Sequence, residues 1–109
     1  MGELSGKVAI VTGSSSGIGE STARRLADLG AHVVVNSSTS VEAGKNVVAS
    51  LATKGAYVQA DISDQAQGKK LIDETIDTFG RLDILVNNAG WTTLVPHGDL
   101  DGLTDEIFD

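Results

Sequence analysis

One stretch constrains this chain more than any other: Val8-Ala9-Ile10-Val11-Thr12-Gly13-Ser14-Ser15-Ser16-Gly17-Ile18-Gly19. Four apolar residues in a row, with no polar alternation, suit a strand covered on both faces, the usual state of a central parallel strand. The strand runs into a turn punctuated by Gly13, Gly17 and Gly19, where the missing side chains permit backbone angles and close approaches that a Cβ would block. A helix starting there points its unpaired N–H groups and the positive end of its dipole at the turn, so an anionic group such as a pyrophosphate is the natural occupant. The Gly13-x3-Gly17-x-Gly19 spacing is not the G-x-G-x-x-G pattern, and taken alone it also fits a strand-to-helix turn without a ligand. Its context favours the ligand, because a second strand about twenty residues on completes a βαβ unit.

The rest of the chain repeats that unit. Ile18, Thr22 and Leu26, with Ala23 and Ala27, recur at helical spacing opposite Glu20, Arg24, Arg25 and Asp28, and Gly30 supplies the stop. Ala31-His32-Val33-Val34-Val35 reads as a second strand, and Asn36-Ser37-Ser38-Thr39-Ser40 as polar turn chemistry before a second helix through Val41, Gly44, Val47, Val48, Leu51 and Ala52. Ala56-Tyr57-Val58-Gln59-Ala60 reads as a third strand, followed by a loop whose Ser63 or Asp64 caps a third helix. That helix carries Leu71, Ile72, Thr75, Ile76 and Phe79 inward and ends at Gly80. Leu82-Asp83-Ile84-Leu85-Val86 is a fourth buried strand running into Asn87-Asn88-Ala89-Gly90. Residues 91–109 hold the only proline and read as loop until Thr104 or Asp105, where a helical turn begins. The alternation predicts an α/β fold, a Rossmann-type doubly wound parallel sheet with right-handed crossovers, and strand order 3-2-1-4 follows if the first strand is central. Residues 1–90 are expected to form a dinucleotide-binding part, and residues 91–109 an acidic, incomplete continuation.

Composition narrows the partners. At 109 residues and 40% hydrophobic, the chain is one small domain, and no apolar run approaches the roughly 20 residues of a membrane span. The first residues lack a basic region followed by an apolar core, and there are no cysteines, so a cytoplasmic address is expected, with no membrane partner and no thiolate chemistry. A net charge of −7 argues against nucleic acid, whose phosphates are bound by clustered Lys and Arg. Five of the fifteen acids, Asp99, Asp101, Asp105, Glu106 and Asp109, lie in the last eleven residues, so the acidity belongs mainly to the end of the chain. No grouping of residues suggests a metal site. His32 and His97 have no evident acid–base partner and are expected to be solvated.

Three motifs now carry a family likeness. The glycine turn, Asp61-Ile62 after the third strand, and Asn87-Asn88-Ala89-Gly90 after the fourth together resemble the cofactor half of a short-chain dehydrogenase/reductase, nearest to the 3-oxoacyl carrier-protein reductase-like subgroup, over residues 4–90. In an open α/β sheet, ligands bind outside the carboxyl ends of the strands where strand order reverses, and all three motifs fall on that rim. Gly13, Gly17 and Gly19 would admit the pyrophosphate, and Ser15 and Ser16 would donate to its oxygens, with Ile18 beside them. The resemblance implies that Asp61 holds the adenine amino group while Ile62 packs on the ring. It further implies that Asn88, Ala89 and Gly90 line the ribose and nicotinamide, while Asn87 braces the strands. An acid at the end of the second strand would hold a ribose 2′-OH and repel a 2′-phosphate. Asn36, Ser37 and Ser38 stand there instead, which favours NADP and leaves NAD possible. Ser16 before Gly17, where NADP-using members often carry a basic residue, tempers that preference.

The resemblance also implies what these residues do not contain. The family moves a proton with a Tyr-x-x-x-Lys pair and a Ser, the phenol made acidic by the neighbouring ammonium. The only tyrosine is Tyr57, and four residues on stands Asp61. No catalytic residue is nominated. Two readings follow: the cofactor-binding part of an oxidoreductase acting on a small carbonyl or alcohol substrate, inactive at this length, or a non-catalytic nucleotide-binding or interaction module. An uncovered fourth strand is expected to drive self-association or homo-oligomer formation.

Overall fold

The computed structural model describes residues 2–88. The elements run β1 (Val8–Val11), α1 (Gly17–Asp28), β2 (His32–Ser37), α2 (Val41–Ser50), β3 (Ala56–Gln59), α3 (Gln65–Phe79) and β4 (Ile84–Val86). The four strands are parallel and ordered β3-β2-β1-β4, so the first strand lies inside the sheet with the reversal of strand order beside it. This is the Rossmann-type arrangement expected from the alternating pattern.

Register decides which side chains share a face. Ile10 pairs with Val34 and Leu85, and these three join Val58, Ile62, Leu71 and Ile72 in the core on the α3 side. Val11 pairs with Val35, and with Val33, Ala23, Ala27, Ala31 and Val47 it forms the core on the α1 and α2 side. Asp64 caps α3 by accepting from the Ala66 N–H at 2.9 Å, and Gly80 closes it in the left-handed region at φ 82°.

Several expectations are corrected. In α1 the buried stripe is Gly19, Ala23 and Ala27, one residue out of phase with Ile18 and Thr22, and Ile18 is 78% exposed. Ile76 of α3 is likewise 43% exposed, because Leu71, Ile72 and Thr75 already fill the inward arc. β2 continues through Asn36 and Ser37, which pair with Val58 and Gln59 of β3 and are strand, not turn. His32 is not freely solvated: its ring stacks on Phe79 with centroids 5.6 Å apart, and its Nδ1 lies 2.9 Å from the Lys54 carbonyl oxygen. The remaining expectations about residues 89–109, His97 among them, lie outside the described residues.

Candidate functional site

The turn after β1 is built around backbone geometry that only glycine adopts without strain. Gly13 and Gly17 both sit at φ 61°. A Cβ on Gly19 would stand 2.3 Å from the Gly13 carbonyl oxygen and 2.6 Å from the Asn88 side-chain nitrogen, so the first turn of α1 presses directly against the glycine loop. At Gly17 a Cβ would meet nothing within 4 Å, so it is the positive φ and not crowding that calls for glycine there. Ser16 is extended at the N-cap but makes no side-chain capping bond, so its hydroxyl does not satisfy the helix's first N–H groups. Ser16, Gly17 and Ile18 are exposed and Ser15 is half-buried. An exposed helix start without a side-chain cap, behind a glycine turn, suits an anionic group such as a dinucleotide pyrophosphate.

Neighbouring strand ends hold this turn in place. The Ser14 hydroxyl donates to the Val11 carbonyl at 2.6 Å and accepts from the Asn36 N–H at 3.0 Å, while the Ser14 N–H donates to the Asn36 carbonyl at 2.8 Å. The Asn36 side chain accepts from the Gly13 N–H at 3.3 Å and donates to the Val58 and Ala60 carbonyls at 3.1 and 3.2 Å. On the other flank, Asn88 donates to the Gly13 carbonyl at 3.1 Å, and the Thr12 hydroxyl donates to the Asn87 side-chain oxygen at 3.3 Å. Asn87 thus braces two strands, as the resemblance implied.

Two of the nominated positions are buried. Asn36 is 2% exposed with every polar side-chain atom engaged by backbone, and Ser37 is 5% exposed with its hydroxyl oxygen 2.6 Å from that of Tyr57. Neither presents a donor to solvent, and among Asn36, Ser37 and Ser38 only Ser38 is exposed. The reason is that β2 runs two residues longer than its apolar pattern, so these side chains inherit the burial of a central strand. Ile62, at 6% exposed, also belongs to the α3-side core, which leaves little of its side chain for an adenine ring.

Asp61 is exposed at the end of β3. One carboxylate oxygen accepts from the Ser63 N–H at 3.0 Å and hydroxyl at 2.7 Å, and these bonds hold the carboxyl below its usual range. It stays ionised at neutral pH as an acceptor on the rim. Asn88 is half-buried beside the glycine turn, and Ala89 and Gly90 lie outside the described residues. Ser14 was the residue the motif reading passed over; the signal that could have found it is its place at one strand end facing Asn36 at the next.

The short chain dehydrogenase family model matches residues 7–107, and the chain belongs to that family. A Streptomyces violaceoruber protein whose name describes a ketoacyl reductase of the granaticin polyketide synthase is 52% identical over 101 residues, covering 93% of this chain and 40% of that protein. Elsinochrome reductase 1 of Elsinoe fawcettii is 45% identical over 109 residues, covering 97% and 40%. A short chain dehydrogenase of Burkholderia cenocepacia solved in complex with NADP superposes with a TM-score of 0.76 at 39% identity, covering 92% of this chain and 44% of that one. The chain therefore spans about two-fifths of the length of the curated relatives it matches. Among the described residues no helix is long and apolar enough to cross a membrane.

Proposed function

We propose that this chain is the dinucleotide-binding part of a reductase that transfers hydride between a nicotinamide cofactor, NADP in preference to NAD, and a small carbonyl or alcohol substrate. The observation that carries the reading is the exposed start of α1, with no side-chain bond at the Ser16 N-cap and Gly19 pressed against the Gly13 carbonyl. A bound nicotinamide would supply the hydride. The backbone at Gly13, Gly17 and Gly19 would bind the pyrophosphate together with the Ser15 and Ser16 hydroxyls. Ile18, 78% exposed beside them, would cover part of the bound cofactor. Ser38 would meet the ribose 2′ substituent, Asp61 would accept from the adenine amino group, and Asn88 with Ala89 and Gly90 would border the nicotinamide side. Asn36 and Ser37 would act by holding the turns rather than by touching the cofactor.

Support for the cofactor class comes from the family match and from a structural neighbour solved with NADP. Preference for NADP rests on the absence of an acid at residues 36–38. Proton transfer needs groups these residues do not hold, since no Tyr-x-x-x-Lys occurs in the sequence. The 109-residue chain should therefore bind without turning over.

Calorimetric titration with NADPH tests this. Saturable binding is expected, lost by at least about tenfold (about 1.4 kcal/mol) in Gly19→Val, whose side chain would enter the space of the Gly13 carbonyl and push the first turn of α1 off the glycine loop. No saturable binding of NADPH or NADH by the parent chain would overturn the reading, and carbonyl reduction by pure chain would overturn its inactivity.

A further inference from the structure

The end of β2 is held from the side by β3, and one side chain reaches both ends of the turn that follows. The Ser37 hydroxyl oxygen lies 2.6 Å from the Tyr57 hydroxyl, and the Ser37 carbonyl accepts from the Ala60 N–H at 3.1 Å. The Gln59 side-chain amide donates to the Ser38 carbonyl. The Tyr57 ring is pinned in its turn, because a Cβ on Gly44 of α2 would stand 2.2 Å from Cε1 and 2.5 Å from Cδ1. Tyr57 thus touches the residue before the exposed turn of residues 38–40 and the helix just after it.

We propose that Tyr57 is a positioning residue for cofactor selectivity: by bonding Ser37 and wedging against Gly44, it sets where residues 38–40 present their donors to the ribose 2′ substituent. The inference rests on the dinucleotide reading above and deepens it. No cation on residues 36–40 draws a 2′-phosphate there, so recognition depends on the direction and distance of neutral donors. Hydrogen bonds weaken steeply away from their preferred geometry. The pyrophosphate is bound at a different turn, after β1, braced by Ser14, Asn36 and Asn88. Displacing the turn after β2 should therefore cost affinity for the 2′-phosphate and spare the rest. Selectivity is a difference of two affinities, and the ratio is where this displacement shows.

Tyr57→Phe keeps the ring against Gly44 and removes only the hydroxyl. Titrated with NADPH and NADH, this variant should bind NADPH about five- to tenfold more weakly and NADH within about twofold of the parent chain. Ser37→Ala removes the other partner of the same bond and should give the same change in ratio, with the double variant no worse than either single one. Ser37→Ala alone decides the matter should Tyr57→Phe fail to fold. A purely structural tyrosine would weaken both cofactors equally, and that result, or an unchanged ratio, overturns the positioning role while leaving the dinucleotide reading intact. Failure of the parent chain to bind either cofactor overturns both.

Discussion

The two faces of the sheet are packed by opposite means. On the α3 side the core is made of large side chains, Ile10, Val34, Val58, Ile62, Leu71, Ile72 and Leu85. On the α1 and α2 side the fully buried helical residues are Ala23, Ala27 and Val47, with Gly19 and Gly44 at their contacts, and the larger Leu26, Val48 and Leu51 pack only part-buried at the margin. Large residues bury apolar area, at about 25 cal/mol per Å², and small ones let backbones approach. The difference follows from where the candidate site lies. α1 must start within contact distance of the Gly13 carbonyl, and α2 must seat on the Tyr57 ring, so neither helix can carry bulk at those points. One face supplies stability; the other sets distances.

That contrast can be broken by experiment. Leu71→Ala should carry the largest cost, about 3 kcal/mol of unfolding free energy, by removing a fully buried side chain from the large-residue face. Chemical denaturation would measure it, and NADPH affinity of the folded fraction should stay within about twofold; a matching loss of affinity would show that the faces are not separable. Gly44→Ala should cost about 1–3 kcal/mol by overpacking, because the added methyl meets the Tyr57 ring. A neutral result in the same assay would mean that α2 has slack and that its small residues do not set distance.

The smallest effect concerns neither face but the entry to the sheet. Asp83 accepts from the Val8 N–H at 2.9 Å and from Arg81 at 2.8 Å, and the Arg81 guanidinium foremost holds its carboxyl below the usual carboxylate range. A lowered folded pKa means that the unfolded chain binds more protons near pH 4, so this contribution is present above the unfolded value and lost as pH falls through the folded one. Stability followed from about pH 5 down to pH 3 should decline, less steeply in Asp83→Asn. Asp61, fully exposed, contributes in the same direction and leaves a residual slope. An identical slope in the variant would remove Asp83 from this account.

How much of this was legible beforehand differs by residue. The four strands and the Gly80 stop follow from runs of β-branched residues and from punctuation by glycine, which act locally, whereas the strand order needed the further assumption that the first strand is central. The bracing role of Asn87 was legible only through the family resemblance, since nothing local to it names Thr12 as its partner. Ile18 was not, since 100° of helix phase separates an inward residue from an outward one and Ile18 fits the apolar pattern either way. Asn36 and Ser37 read as turn because polarity ended the apolar run, yet β3 lies alongside and converts them to strand. His32 found its partner in Phe79, 47 positions away, which no local pattern predicts.

The order of residues by itself determined the alternating elements, the glycine turn and the three motifs at the strand ends, because each depends on neighbours within a few positions along the chain. Only the tertiary structure decided which polar side chains stay exposed at the candidate site and which are consumed inside the protein. Ser14, Asn36, Ser37 and Tyr57 are bonded to one another and to backbone across parallel strands. Those partners are set by sheet register, and a buried polar group must take whatever partner register brings, since leaving it unpaired costs more than the bond is worth.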